Sequence, residues 1–197
     1  IDPRFSPAGV LAPKSKADLA FTMHILSWLS TSGTAAIVEF PGVLYRGGAE
    51  QKIRKYLIDN NYIDTVIQLP PDLFFGTTIA TCIIVLKKSK KDNSTLFIDA
   101  SEEFVHEGNK NKLTEANRKR ILNAYIERQD EEYFCSLIPN SKIADNDYNI
   151  AVSSYVTKED NSEVIQIEEL NARIAEIVIK QNHLRAAIDE IVADLEV

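Results

Sequence analysis

The chain has 197 residues, 45% hydrophobic and 26% charged, enough for one sizeable core or for one core with an extension. Its formal net charge of -7 excludes a chain that grips nucleic acid by itself through a dominant basic face. The longest apolar runs, such as residues 81–86 and 35–38, are far shorter than the roughly 20 residues of a membrane-spanning helix, and no signal-peptide pattern opens the sequence, so we expect a cytoplasmic protein without membrane contact.

The sequence opens on Ile1 and the loop-like Asp2-Pro3-Arg4-Phe5-Ser6-Pro7, which leads us to expect part of a longer protein. Ser15, with Asp18 three residues on, precedes Leu19, Ala20, Met23, Ile25, Leu26 and Leu29, and Gly33 follows. This pattern predicts a side-chain-capped amphipathic helix with a glycine stop. The apolar run 34–40 ends at Pro41-Gly42 and reads as a buried strand. A second helix opens near Ala49, carries Ile53, Tyr56 and Leu57 on one face with Lys52, Arg54 and Lys55 on the other flank, and stops at Asn60-Asn61. Residues 62–69 read as another buried strand, broken by Pro70-Pro71-Asp72. Helix, strand, helix, strand implies parallel neighbours.

After a loop rich in Phe, Gly and Thr, residues 81–87 and 96–99 flank the polar turn 88–94 and predict an antiparallel edge hairpin. Residues 107–120 are charged, and Ile121, Leu122, Tyr125 and Ile126 then give one helical face, the mark of a surface elaboration. Strand-like pieces are expected at 134–138 and 148–156, with a turn at Asp145-Asn146-Asp147, followed by a polar linker. Cys82 and Cys135 have no metal-ligand spacing and read as reduced core residues. His24 reads as a helix residue with a local partner, and Lys87-Lys88, Lys90-Lys91 and Arg118-Lys119-Arg120 read as solvated turns and helix faces.

The tail is the most regular part. Ile167, Leu170, Ile174, Ile177, Gln181, Leu184, Ile188, Ile191 and Leu195 alternate at intervals of three and four, a heptad seam with Val178 and Val192 on one flank. Such a helix either packs back on its own domain or joins a bundle with a partner. The 3.5-residue period favours the partner, because a surface helix of a globular domain drifts at 3.6. Gln181, the polar residue in the seam, would fix register at some cost in stability.

Four stretches stand in a recognisable order: Asp2-Pro3-Arg4-Phe5; Lys14-Ser15-Lys16-Ala17-Asp18-Leu19-Ala20-Phe21 with His24; Gly42-Val43-Leu44-Tyr45-Arg46-Gly47-Gly48-Ala49-Glu50; and Leu69-Pro70-Pro71-Asp72-Leu73-Phe74-Phe75-Gly76-Thr77. Together with Phe97-Ile98-Asp99-Ala100-Ser101, Asn111-Lys112-Leu113 and Asn146-Asp147-Tyr148-Asn149 they resemble the second half of the modification subunit of type I restriction-modification systems, an adenine-specific DNA methyltransferase. The resemblance implies an α/β fold: the C-terminal part of a doubly wound S-adenosylmethionine-dependent methyltransferase, with a mixed sheet, an antiparallel edge hairpin and a C-terminal heptad helix. It divides the chain into 1–100, the second half of the catalytic domain; 101–156, a helical and short-strand elaboration; 157–166, a linker; and 167–197, a coiled-coil-like assembly helix.

The family binds S-adenosylmethionine through a glycine-rich turn and holds the amine of a flipped adenine with an Asn-Pro-Pro-Phe or Asn-Pro-Pro-Tyr motif. Neither is present in this sequence, and Pro70-Pro71 follows Leu69, which accepts no hydrogen bond through its side chain. The resemblance therefore implies no catalytic, cofactor-binding or metal-ligating residue in this chain, which by itself would be inactive and bind no cofactor.

What the resemblance does assign is a base pocket at Phe74, Phe75, Gly76 and Thr77, with Phe75 the first choice because it borders the glycine; the alternative is that one or both rings fill the core. Arg46 before Gly47-Gly48 is a candidate DNA-backbone contact, while the glycines themselves suit a tight turn. Leu170, Ile174, Ile177, Gln181, Leu184, Ile188 and Ile191 would form a subunit interface. Glu39-Phe40-Pro41 departs from the family pattern, which has a more apolar strand end and often a histidine.

The implied partners of the full-length subunit are a specificity subunit, a restriction (motor-nuclease) subunit and double-stranded DNA. Two other readings stay open, a non-catalytic interaction module and an RNA or protein methyltransferase of the same fold.

Overall fold

The computed structural model describes residues 2–159 and 167–195, which belong to two compact units, Ile1–Glu159 and Asp160–Val197. The first unit holds helix α1 (Asp18–Trp28), strand β1 (Thr34–Glu39), α2 (Ala49–Asp59), β2 (Ile63–Gln68), β3 (Cys82–Lys87) and β4 (Ser94–Asp99). The small hairpin β5 (Val105–Glu107) and β6 (Lys110–Lys112) follows, then α3 (Glu115–Glu127), β7 (Cys135–Pro139) and α4 (Asn140–Asp145).

Five strands form one sheet in the order β1-β3-β2-β4-β7. Strand β3 runs antiparallel to both β1 and β2, β2 is parallel to β4, and β4 is antiparallel to β7. It follows that β1, β2 and β4 point the same way and end on one side of the sheet. Alternation along the central strands sends Val66 and Phe97 to one face and Ile67, Leu96 and Ile98 to the other. Helices α1, α2 and α4 cover the first face through Leu19, Met23, Ile53, Leu57 and Ile143, and α3 covers the second through Ala124. Burying each large aliphatic side chain stabilises the fold by about 1.5 to 3 kcal/mol, so the two clusters rather than helix propensity hold the helices in place.

The mixed sheet expected from the sequence is present, with a different strand order. The expected hairpin of 81–87 with 96–99 does not form: β2 lies between β3 and β4. Local apolar patterning cannot tell an adjacent partner from a strand inserted between its predecessors. The expected parallel neighbours β1 and β2 are separated by β3 for the same reason. Strand β1 is an edge strand with alternating burial, not a doubly buried one; α1 packs on it.

The first helix begins at Asp18 without a side-chain cap, so Ser15 is not its N-cap, and it ends at Leu29 in extended geometry before Gly33 is reached. Residues 148–156 form no strand. Asp147 and Tyr148 adopt φ of 53° and 56°, and a short 3-10 turn (Val152–Ser154) follows. Their apolar residues Ile150, Val152 and Val156 nonetheless enter the main core, and β7 joins the main sheet.

The second unit contains α5 (Ile167–Leu195), 29 residues long and about 43 Å at helical rise. Of the expected linker 157–166, residues 160–166 lie outside the described part.

Candidate functional site

The carboxyl ends of β1 and β2 and the long connection from Leu69 to Thr81 lie at one side of the sheet, the side where open α/β folds place ligands. A cleft of about 390 Å³ opens there, lined by Asp18 and Phe21 of α1, Ile37, Val38, Glu39 and Phe40 from the end of β1, and Phe74, Thr77 and Thr81 of the connection. Phe21, Phe40 and Phe74 are all exposed despite their size, giving the cleft aromatic walls.

Two buried polar groups lie among these rings. Glu39 is 6% exposed, and its Oε1 accepts a 2.8 Å hydrogen bond from Thr22 Oγ1. Burial pushes the Glu39 carboxyl up from the ordinary range; the Thr22 bond opposes this, and the charge of Asp18 adds to it. Thr81 is also 6% exposed, and its Oγ1 has no hydrogen-bond partner among the described residues. An unpaired buried hydroxyl is costly, and one lining a cleft is placed to meet a ligand.

The four residues assigned from the sequence divide. Phe74 and Thr77 line the cleft, Gly76 adopts a φ of 80° that a side chain would strain, and Phe75 stands fully exposed at the turn. Thr77 Oγ1 accepts from the Ile79 backbone N–H at 3.1 Å, which shapes the loop behind the ring. Pro70-Pro71 is structural: the Pro71 carbonyl accepts from Asn111 Nδ2 at 2.9 Å.

Arg46 turns its guanidinium over Gly42, where any Cβ would collide with it, and reaches Glu50 at 3.5 Å. Gly48 takes a φ of 70° at the entry to α2, which is the turn role expected of it. The space beside Gly42 is filled by the end of the chain's own Arg46 side chain, while Gly47 and Gly48 lead from the end of β1 into the N-terminus of α2 with open space beside them.

Cys82 is buried with its Sγ 3.4 Å from the Glu39 carbonyl, and burial pushes its thiol up to about 12, which removes it as a nucleophile. Cys135 is buried as well. Lys88 and Lys90 are not free turn lysines. Lys88 Nζ donates to the Leu29 carbonyl at 2.7 Å, and Lys90 Nζ donates to those of Ile63 and Ser94 at 2.6 Å. His24 stacks on Phe5 at 5.5 Å and lies 4.8 Å from Trp28, so its local partners are aromatic. Among the described residues no group of His, Cys, Asp or Glu is placed to hold a metal ion, and no helix is long and apolar enough to cross a membrane.

In α5, Leu170, Ile174, Ile177, Leu184, Ile188 and Ile191 are all exposed along one seam with Gln181 among them.

Comparison with known proteins places this geometry. A family model described as N-6 DNA Methylase matches residues 1–164. The chain belongs to the N-6 DNA methylase family. Among its relatives, the type I restriction enzyme MpnII methylase subunit of Mycoplasma pneumoniae is 48% identical over 197 residues, covering 100% of this chain and 36% of that protein. The MjaVIII methylase subunit of Methanocaldococcus jannaschii is 35% identical, over 90% of this chain and 32% of its own length. The crystal structure of a type I restriction-modification methyltransferase subunit from Streptococcus thermophilus superposes with a TM-score of 0.77 at 49% identity, covering 79% of this chain and 33% of that one. This N-6 DNA methylase chain therefore spans about a third of the length of the relatives it matches.

The motif singled out the loop whose Phe74 and Thr77 lie among the residues lining the cleft. Thr22, Phe21 and Thr81, which come from separate elements, were not candidates, and Glu39 and Phe40 stood out only as a departure from the family pattern. A charged residue closing an apolar strand was the available signal.

Proposed function

We propose that this chain is the second half of a type I modification subunit, and that its aromatic cleft forms one wall of the pocket receiving an adenine flipped from DNA. The observation that carries the reading is the position of the cleft, at the carboxyl ends of β1 and β2, with Phe74 on one wall and the buried polar groups of Glu39 and Thr81 among the lining residues. A nucleobase extruded from a duplex is held by stacking on aromatic faces and by hydrogen bonds to its edge, and the cleft offers both. At about 390 Å³ it lies in the size range of ligand pockets. Phe74 is the stacking residue in this reading, with Phe75 on the exposed side of the same turn.

The amine of adenine is a weak nucleophile whose lone pair is delocalised into the ring. Its reaction depends on orientation relative to the methyl donor, and orientation is what a stacked, edge-bonded base acquires. Methyltransferases of this family use S-adenosylmethionine, which supplies an activated methyl group. In the full-length subunit its glycine-rich turn and the Asn-Pro-Pro-Phe or Asn-Pro-Pro-Tyr motif would come from outside this chain.

The net charge of -7 fits a subunit that leaves DNA reading to a specificity partner, and the exposed heptad seam of α5 supplies a surface for that partner. Cleavage would add a motor-nuclease subunit, and the complex would work in the cytoplasm. The test is methylation of double-stranded DNA by the full-length subunit with its specificity partner: Phe74→Ala lowers the turnover rate while the DNA concentration giving half-maximal rate stays near the wild-type value.

A further inference from the structure

Thirteen residues, 69–81, connect β2 to β3 with no regular structure, yet the middle of this loop is fastened at two points to one other element. On one side of the aromatic pair, Asn111 Nδ2 donates to the Pro71 carbonyl at 2.9 Å and the Asn111 backbone N–H donates to the Asp72 carbonyl at 3.1 Å. On the other side, Lys110 Nζ donates to the Thr77 carbonyl at 3.1 Å and reaches back to Asp72 Oδ1 at 3.4 Å. Both clasping residues belong to β6, and between the clasped points lie only Leu73, Phe74, Phe75 and Gly76.

The clasp is built rather than incidental. Asn111 is 7% exposed, and a buried amide is tolerated only where its hydrogen bonds are made; here the bond goes to the carbonyl of a proline, a residue with no N–H of its own. Asp72 takes a φ of 57°, a conformation that needs support, and both of its bonded oxygens are held from β6. Leu73 packs against the second core cluster, as does Leu113, which follows β6 directly. The hairpin β5–β6 itself has strands of three residues, too short to be stable alone, so loop and hairpin order each other.

We propose that Lys110 and Asn111 are positioning residues: through Pro71, Asp72 and Thr77 they fix the angle at which Phe74 meets the flipped base, making hairpin β5–β6 a determinant of base capture outside the cleft. This rests on the base-pocket reading. Lys110 and Asn111 touch neither base nor methyl donor, and their effect passes through the loop. Displacing an aromatic wall by an ångström loosens orientation more than it weakens binding of the whole duplex.

The experiment uses the full-length subunit with its specificity partner and a duplex carrying 2-aminopurine at the target adenine, whose fluorescence rises when the base leaves the stack; a matching adenine duplex gives methylation rates. Asn111→Ala and Lys110→Met are expected to lower kcat about ten- to a hundredfold with the KM for DNA within about twofold, and to reduce the 2-aminopurine signal, while Lys110→Arg restores both. Lys110 is only partly buried, so its variants test the clasp even where Asn111→Ala fails to fold. Wild-type kcat and fluorescence in Lys110→Met, alongside loss of both in Phe74→Ala, would overturn the clasp and leave the base pocket standing. Wild-type behaviour in Phe74→Ala would remove the base pocket, and the clasp with it.

Discussion

Thr22 and Glu39 meet across the α1–β1 contact, the threonine hydroxyl donating a 2.8 Å hydrogen bond to a carboxyl that is almost wholly buried. The pair joins the wall of the cleft to its lining. Because burial raises the Glu39 pKa in the folded state, the folded chain holds that proton more tightly than the unfolded one. Its contribution to stability is complete below the ordinary carboxylate range and is lost as pH rises through the raised folded value. Glu39→Gln keeps the acceptor for Thr22 and removes the titration, so the variant's urea midpoint gains on the wild type as pH increases. A constant difference between the two midpoints across that window would show that Glu39 ionises freely in the folded protein.

Arg54 organises the turn behind the cleft. It is 1% exposed, and its guanidinium donates to the carbonyls of Tyr148 at 2.8 Å, Val43 at 3.0 Å and Arg46 at 2.7 Å. Burial depresses its pKa to about 10, so it remains charged at neutral pH, close to Glu50. Arg54→Met leaves three carbonyls without donors and is expected to cost about 3 kcal/mol or more in denaturant unfolding. Arg54→Lys, which cannot span three acceptors in one plane, should fall between. Loss below about 1 kcal/mol for Arg54→Met would mean that solvent reaches those carbonyls.

The seam of α5 gives a third test. Ile174→Glu with Ile188→Glu places two charges on exposed apolar positions of one stripe. Charges forced into a desolvated helical interface are each expected to weaken association by more than about tenfold. Co-purification of the specificity subunit with the full-length protein should be lost. Undiminished co-purification would take the seam out of assembly.

Much of the fold is written locally. Ile53 and Leu57 on α2, the five buried residues of β2 and the apolar β3 are legible because each has a single period and clear stop signals. Strand order is not local. The polar turn after β3 has the look of a hairpin, but Lys90 there bonds the carbonyls of both Ile63 and Ser94, tying β4 to β2 instead. Residues 148–156 read as a strand because Ile150, Val152 and Val156 are apolar, yet apolar content reports burial and not conformation.

In the candidate site, the pair Phe74-Phe75 was visible as a motif, and which ring lines the cleft was not. Gly76 singled out Phe75 in the sequence; in the fold its turn leaves Phe75 fully exposed and puts Phe74 among the residues lining the cleft. Thr81 carries no sequence signal. Its importance comes from a hydroxyl without a partner, which is a property of packing.

The base-wall role of Phe74 is tested most directly by analysing the nucleosides of unmethylated double-stranded DNA after reaction with the full-length subunit, its specificity partner and S-adenosylmethionine. The account predicts N6-methyladenine from the wild type and, from Phe74→Ala, a turnover rate lower by about a hundredfold with the DNA concentration for half-maximal rate changed less than about twofold. Methylation by Phe74→Ala at the wild-type rate, or a methyl group found on cytosine, would contradict it.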